Sequence, residues 1–177
     1  MNKKRLIFIT FTILILLPTM GQGNKKETIS YRPIGVFHTD YTPETGAPRQ
    51  GILKPEGKGR IEIYPEYRDA LKSLDLFEYI IVIYHFDRSG KWKSTVNPPE
   101  SNPDYKFGLF ATRSPNRPNP IGIATIKLES VEDGILTVSG IDAFNGTPVL
   151  DIKPYLSSID GIRSEKNDLL EKELGIK

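Results

Sequence analysis

The sequence predicts a mainly β fold, a single barrel domain with one or two short helices. Several short segments rich in β-branched and aromatic residues are bounded by Gly, Pro, Asn or Asp, which is typical of strands separated by turns. The last two of these segments flank Asp133-Gly134, a dipeptide that favours a tight hairpin turn. Many strands with one internal helix favour a barrel. The predicted strands are residues 32–39, 59–64, 79–86, 106–112, 122–131 and 135–141.

One internal segment, residues 65–77, has a helical pattern. It begins with Pro65, whose missing N–H is not needed at the first position of a helix. Leu71 and Leu74 contribute to an apolar face at helical spacing. The tail over residues 161–177 is charged and amphipathic, and it predicts a second, peripheral helix.

Length and composition favour one domain, placed at residues 29–160. A chain of 177 residues with 38% hydrophobic and 26% charged residues can bury one core of good size. The formal charge of +2 includes three basic residues at positions 3–5, so residues 24–177 carry −1. A nearly neutral domain argues against broad coating of nucleic acid, which needs clustered positive charge.

Local basic clusters nevertheless exist. One comprises Arg49, Lys54, Lys58 and Arg60. In the other, Arg88, Lys91 and Lys93 lie beside Trp92, a combination of cations and an aromatic ring that suits phosphate contact and base stacking. The alternative is that these residues form a solvated polar loop.

No metal site is predicted. The chain has no cysteine, which excludes disulfides, thiolate nucleophiles and cysteine-bound zinc. Its histidines, His38 and His85, lie on predicted strands among apolar neighbours and do not show the paired spacing of a zinc motif.

Residues 1–23 predict a secretory signal peptide or an N-terminal membrane anchor. Basic residues at 3–5 precede an apolar run over 6–17, and the small residue Gly23 follows. The run is shorter than the roughly 20 apolar residues that a transmembrane helix needs. Positive charge on the cytoplasmic side places the following domain outside, so this pattern predicts export or anchoring.

The segment 108–122 places two arginines among prolines and asparagines. Proline fixes φ and pushes the residue before it towards extended conformations, so we expect a stiff, kinked loop. Such a loop holds Arg113 and Arg117 at defined angles, where planar guanidinium groups suit carboxylates, phosphates or a purine face. The alternative is a surface loop with solvated arginines.

A second segment, residues 141–155, places polar side chains around a tight Asn145-Gly146 turn. With the sequence Ala-Thr-Arg-Ser-Pro-Asn-Arg-Pro-Asn-Pro-Ile-Gly of the first loop, its Asn-Gly-Thr-Pro and Asp-Ile-Lys-Pro-Tyr motifs closely resemble the signatures of the TsaA-like, or TrmO-like, family. The resemblance covers residues 34–156 and includes a Pro-Arg-Gln loop at 48–50. The chain departs from many relatives at Asp87-Arg88, where they have His-Gln, and at Asn145, where aspartate is usual.

The resemblance implies an S-adenosylmethionine-dependent β-barrel that methylates N6 of threonylcarbamoyl-adenosine next to the tRNA anticodon, acting as a homodimer in the cytoplasm. It implies S-adenosylmethionine and tRNA as ligands. Export conflicts with that role, because tRNA and S-adenosylmethionine are cytosolic. The alternative is therefore an exported barrel that binds an adenosyl ligand without transferring a methyl group.

The resemblance also implies the residues of the site. A carboxylate or tyrosine near the acceptor amine would help to remove its proton, which makes Asp142, Asp151 and Tyr155 the catalytic candidates. For Asp151 and Tyr155 a structural role is equally open, since Asp151 and Lys153 alternate with apolar residues and can pair at a strand end. The cofactor-binding candidates are Pro48, Arg49, Gln50, Asp87, Arg88, Arg113, Arg117, Asp142, Asn145, Gly146 and Thr147.

Overall fold

The structure is a computed structural model that describes residues 27–98, 104, 106–162 and 164. Antiparallel strands joined by short helical turns make up this part of the chain. The strands are β1 (Gly35–Thr39), β2 (Lys58–Ile63), β3 (Tyr79–His85), β4 (Thr95–Val96), β5 (Phe107–Gly108), β6 (Ile121–Glu132), β7 (Ile135–Ser139) and β8 (Pro148–Pro154). The helical segments are the 3₁₀ turns Gly51–Leu53, Pro65–Leu71, Leu74–Leu76 and Leu109–Ala111, and the one-turn helix α1 (Ser157–Asp160).

Six of the strands close into a barrel in the order β1-β2-β7-β6-β3-β8. Every neighbouring pair is antiparallel, and β8 completes the ring by pairing Val149 with Gly35 of β1. Strands β4 and β5 form a separate two-stranded ribbon. Closure leaves no unpaired edge along the barrel wall. The predicted mainly β barrel is confirmed.

The core lies inside the barrel and follows from the two-residue period of the strands. In β6 the side chains of Ala124, Ile126 and Leu128 are buried, while their neighbours point outwards. Strand β3 alternates in the same way with Ile80 and Val82. The remaining strands complete this cluster with Phe37, Ile61, Ile63, Leu136, Val138 and Val149.

The hairpin between β6 and β7 has the predicted two-residue turn. Asp133 and Gly134 both have positive φ, 49° and 83°, which is the geometry of a type I′ turn. Asparagine, aspartate and glycine tolerate this backbone conformation better than other residues do.

The predicted α-helix over 65–77 is wrong, because the structure has 3₁₀ turns there. The segment forms two 3₁₀ turns, and Ser73 separates them with a left-handed φ of 67°. Tyr67, Leu71 and Leu74 pack against the barrel core. A 3₁₀ turn rises about 2.0 Å per residue against about 1.5 Å in an α-helix, so the same residues cover more of the barrel end.

The predicted strand over 106–112 is also corrected. Only Phe107–Gly108 is extended, and the chain then turns at Leu109–Ala111. Phe107 and Leu109 are both buried, and the N–H and the hydroxyl of Thr112 donate to the Leu109 carbonyl. The closing turn directs the chain into the proline-rich loop.

The predicted signal or anchor at 1–23 lies outside the described residues, and so does nearly all of the predicted helical tail over 161–177. Within the described ranges, none of the helices combines the length and the apolar character required to traverse a membrane.

Candidate cofactor site

The candidate site lies at one end of the barrel, where three connections meet. Because the wall is antiparallel, the β1–β2, β3–β6 and β7–β8 connections all emerge at the same end. These connections are residues 40–57, 86–120 and 140–147, and they contain the Pro-Arg-Gln loop, the arginine–proline loop and the Asn145-Gly146 turn. The topology thus brings together motifs that lie far apart in the sequence.

A half-buried carboxylate, that of Asp142, joins two of these connections to the barrel wall. Asp142 accepts a hydrogen bond from the hydroxyl of Tyr84 at 3.0 Å through one oxygen, and from the backbone N–H of Gly51 at 3.2 Å through the other. Tyr84 lies at the end of β3 and is only 3% exposed. Edge-to-face contacts with Phe37 and Phe86 hold its ring. Both oxygens of Asp142 therefore have partners within the protein.

The electrostatics of this pair follow from burial. Burial raises the pKa of Asp142, while the hydrogen bonds from Tyr84 and Gly51 and the positive charge of Arg113 act in the opposite direction. Burial, followed by the neighbouring Asp142 carboxylate, raises the pKa of the Tyr84 hydroxyl far above its usual range. The tyrosine consequently stays protonated and acts as the donor.

Gly51 is where the Pro-Arg-Gln loop meets the β7–β8 connection. A Cβ atom at this position would lie 1.8 Å from the carbonyl oxygen of Gly140, so only glycine allows the two backbones to approach this closely. Gly140 itself has a φ of 72°. This contact and the Asp142 bond together fix the end of the loop that carries Arg49 and Gln50.

Arg113 comes from the arginine–proline loop and meets the Pro-Arg-Gln loop. Its guanidinium donates to the side-chain oxygen of Gln50, and the amide nitrogen of Gln50 donates to the Arg49 carbonyl at 2.6 Å. The charge of Arg113 also acts on Asp142. Three of the predicted residues, Gln50, Arg113 and Asp142, therefore lie in one cluster.

A second group of predicted residues surrounds the Asn145-Gly146 turn. Arg88 donates to the Asn145 carbonyl at 2.9 Å and lies 3.5 Å from the Asp87 carboxylate. The side-chain oxygen of Asn145 accepts from the N–H of Thr39 at 3.2 Å, which ties the turn to the end of β1. Gly146 has a φ of 81°. Asp87, Arg88, Asn145 and Gly146 are thus neighbours.

Thr147 follows this turn and is buried, with a relative exposure of 4%. Its carbonyl accepts from Phe37 at 3.0 Å, and its own N–H donates to Phe144. Pro48 is half-buried in the loop that Gly51 ends. Both positions shape the backbone around the cluster.

Arg117 is directed into its own loop. Its guanidinium donates to the Thr112 carbonyl at 3.0 Å and lies 5.5 Å from the centre of the Phe110 ring, which is 79% exposed. The neighbouring Asn116 accepts from the N–H of Gly90 at 2.7 Å. These contacts stiffen the loop and join it to the segment after β3.

The contacts that the described residues show for Asp151 and Tyr155 are made outside this cluster. Asp151 forms an ion pair with Lys153 at 2.6 Å, the pairing that the structural interpretation anticipated. Tyr155 packs edge-to-face on Tyr79 at a ring distance of 6.4 Å. Strand β8 separates Thr147 from Tyr155 by eight residues, about 26 Å at about 3.3 Å per residue.

Tyr84 was not among the site residues predicted from the sequence, although it donates to Asp142. Its signal was its position on an inward-facing register of β3, because a tyrosine hydroxyl at the end of an apolar strand needs a partner when it is buried. Its partner, Asp142, is 58 residues away in the chain, so only the fold reveals the pair.

Histidines and carboxylates form no group of three or more in the described residues that could hold a metal ion. His38 instead pairs with Glu62 at 2.9 Å across β1 and β2.

The fold and the site define a class of protein: a closed antiparallel β-barrel with an arginine-containing polar cluster built from three loops at one end. Residues 36–161 match the family described as the tRNA-methyltransferase O N-terminal domain, and the chain belongs to this family. The predicted family resemblance is confirmed.

Individual relatives agree with this assignment. The chain is 39% identical over 146 residues to a probable S-adenosyl-L-methionine-binding protein from Pyrococcus abyssi, covering 82% of this chain and 78% of that protein. It is 37% identical over 149 residues to a tRNA (adenine(37)-N6)-methyltransferase from Rattus norvegicus, covering 81% of this chain but only 33% of that enzyme.

Among solved structures, the crystal structure of TrmO from Pseudomonas aeruginosa is similar, with a TM-score of 0.69 and 32% sequence identity. That match covers 84% of this chain and 64% of the crystallised one.

Proposed function

We propose that this protein is an S-adenosylmethionine-dependent methyltransferase that modifies N6 of threonylcarbamoyl-adenosine next to the anticodon of tRNA. The observation that carries the proposal is the meeting of Gln50, Arg113 and Asp142 at one end of the barrel. Membership of the tRNA-methyltransferase O N-terminal domain family supports it. So do the relatives, which are named for binding of S-adenosyl-L-methionine or for methylation of tRNA adenine.

The donor set of the cluster fits this cofactor. Arg113 and Arg88 supply guanidinium groups suited to a carboxylate, and Asp87 supplies an exposed carboxylate suited to a cation or to ribose hydroxyls. Arg49 and Gln50 add donors on the facing loop. With Pro48, Arg117, Asn145, Gly146 and Thr147, these residues form the cofactor-binding set that we propose.

When bound, S-adenosylmethionine supplies an electrophilic methyl group. The task of the protein is then mainly to orient the acceptor amine and to exclude water, since an in-line displacement depends on alignment. A cluster fixed by Gly51 and by the stiff arginine–proline loop suits this task, because its loops are held before ligands arrive. For Asp142, the two hydrogen bonds support a role in holding Gly51, beside the catalytic role predicted from the sequence.

We also propose that the protein forms a homodimer through the outer face of β6 and β3. Ile121 and Ile123 are 43% and 53% exposed there, and Ile123 pairs with Ile83 of β3. Burying such side chains gains about 25 cal/mol per Å² of apolar area. Asp151, which pairs with Ile83 on the other side, borders this face. If Asp151 or Tyr155 has a catalytic role, we propose that it acts in the cofactor site of the partner subunit.

The experiment that tests the function combines binding and transfer. Calorimetry measures the affinity for S-adenosylmethionine, and incorporation of labelled methyl groups is compared between tRNA that carries threonylcarbamoyl-adenosine and tRNA that lacks it. We expect transfer to the first only. Arg113→Ala should weaken cofactor binding by about tenfold or more, since a hydrogen bond from a charged group contributes about 1.5–3 kcal/mol. Transfer to neither tRNA would refute the proposal.

The second candidate function is an exported barrel that binds an adenosyl ligand without turnover. The basic and apolar pattern over residues 1–23 favours it, because a secreted domain does not meet tRNA. Cell fractionation of the tagged full-length protein separates the two functions. Recovery only outside the cytoplasm, with cofactor binding and no methyl transfer, would support this candidate, whereas cytoplasmic recovery supports the methyltransferase.

A further inference from the structure

A lysine-lined groove lies beside the cofactor cluster, between the segment that follows β3 and the β4–β5 ribbon. Its volume is about 600 Å³. Three lysines line it, and none of the described residues that line it is acidic. The lining residues are Lys91, Lys93, Ser94, Thr95, Val96, Asn97, Lys106 and Asn116.

The lysines of this groove have no ion-pair partner among the described residues. Among the described residues, the ion pairs involve His38, Arg88, Lys127 and Lys153, and none of the groove lysines takes part in one. Unpaired cations held close together repel one another, and this repulsion is relieved when a polyanion binds and displaces its own counterions. The groove thus concentrates positive charge in a chain whose formal charge is only +2.

An aromatic ring accompanies the lysines. Trp92, the only tryptophan of the chain, lies between Lys91 and Lys93 in the sequence and is 53% exposed, although it is not among the residues that line the groove. Exposure of a large ring gains nothing in the free protein, but a base that stacks on such a ring contributes about 1–3 kcal/mol to binding.

Two hydrogen bonds on one short segment connect the groove with the cofactor cluster. The Asn116 side chain lines the groove and accepts from the N–H of Gly90 at 2.7 Å, which fixes the segment that leads to Lys91. Two residues earlier, Arg88 donates to Asn145 in the cluster. An acceptor base that enters the cluster would therefore have its adjoining backbone beside the lysines.

We propose that this groove binds the sugar-phosphate backbone of the RNA acceptor, with Lys91, Lys93 and Lys106 contacting phosphates and Trp92 stacking on an unpaired base. The proposal rests on the proposed function, since it places the acceptor of that reaction. The same chemistry could bind an anionic membrane surface. The exposed Trp92 next to these lysines in the sequence, and the two contacts that connect the groove with a site for a nucleobase, favour RNA.

The test compares two double variants with equal charge change. Lys91→Ala/Lys93→Ala removes two groove cations, and Arg32→Ala/Lys72→Ala removes two exposed cations at the end of the barrel opposite the cofactor cluster. Binding of labelled tRNA is measured by fluorescence anisotropy over a series of salt concentrations. For the groove variant we expect an affinity loss of about tenfold at low salt and a log–log salt slope that is shallower by about 1.4 to 1.8.

Two further readouts sharpen this test. Calorimetry with S-adenosylmethionine should give unchanged affinity for both variants, because neither touches the cofactor cluster. Fluorescence of Trp92 should be quenched when tRNA binds, and Trp92→Ala should weaken binding more than Trp92→Phe, which keeps a stacking surface.

The outcomes separate this proposal from the proposed function. Wild-type protein that binds tRNA through the lysines but transfers no methyl group would refute the methyltransferase and leave the groove standing. Methyl transfer that continues with unchanged tRNA affinity in Lys91→Ala/Lys93→Ala would overturn the groove alone. Lysine-dependent binding to anionic vesicles without binding to tRNA would also overturn it.

Discussion

Replacement of Asp142 by asparagine distinguishes two roles of this residue: holding the Pro-Arg-Gln loop by hydrogen bonds, and supplying a negative charge to the site. Asparagine keeps one oxygen to accept from Gly51, and its amide can donate to the oxygen of Tyr84, so both contacts survive without the negative charge. Alanine removes both contacts. If Asp142 positions the Pro-Arg-Gln loop, asparagine should be tolerated and alanine should not.

The magnitude follows from the buried partners. Asp142→Ala leaves the Tyr84 hydroxyl and the Gly51 N–H without their acceptor, and each unsatisfied buried group costs about 1–3 kcal/mol. The smallest combined cost is about 2 kcal/mol, which would weaken cofactor binding by about 30-fold if it all appears as loss of loop order. Asp142→Asn should stay within about threefold of wild type. Tyr84→Phe removes one bond and should fall between them.

The assay is calorimetry with S-adenosylmethionine, joined to hydrogen exchange at the Gly51 amide. We expect faster exchange at this amide in Asp142→Ala and near wild-type exchange in Asp142→Asn. If asparagine is as harmful to cofactor binding as alanine while the amide stays protected, the charge itself is required and the positioning argument is refuted.

The remaining predictions concern stability and assembly. Because burial raises the pKa of Asp142, the native state holds this proton more tightly than the unfolded chain, so wild-type stability should fall as pH rises just above the ordinary aspartate pKa. Urea denaturation at several pH values should show that Asp142→Asn loses this dependence. Gly51→Ala should lower the free energy of unfolding by about 2 kcal/mol in the same assay. Gly108→Ala should leave it unchanged, because no atom lies within 4 Å of the added Cβ. Asn145→Asp keeps the oxygen that accepts from Thr39, so its melting temperature should match wild type, and a clear fall would contradict this. Ile123→Glu should convert a homodimer to monomers in analytical ultracentrifugation, and an unchanged sedimentation coefficient would exclude this face.

Local patterns predicted the strands whose signal lies within the strand itself or in the adjoining turn, and these include β3, although its sheet neighbours β6 and β8 are distant in the chain. The turn at Asp133-Gly134 and the alternation of β6 are examples, because both depend on residues close in sequence. Strand β8 escaped prediction, since it begins and ends with proline and carries Asp151 and Lys153. The strand tolerates these charged side chains because both are exposed at the barrel surface, where they also pair with each other.

The site was predicted through its motifs rather than through its geometry. The arginine–proline loop and the Asn145-Gly146 turn were identifiable in the sequence, and the fold does bring Arg113 and Asn145 to one end of the barrel. No local signal indicated that Asp142 would be held by Tyr84 and Gly51, because these contacts span 58 and 91 residues. The barrel creates them by closing.

The loops of the cofactor cluster emerge at one end of the barrel and the β6–β7 hairpin at the other, and this arrangement suits attachment of the protein to a surface. The β6–β7 hairpin lies at the end opposite the cofactor cluster, and Glu132 beside its turn is exposed. The chain has no cysteine, so Glu132→Cys would introduce a unique thiol there. Coupling this thiol to a sensor chip would present every molecule in one orientation, with the loops that carry Gln50 and Arg113 directed towards the flowing solution.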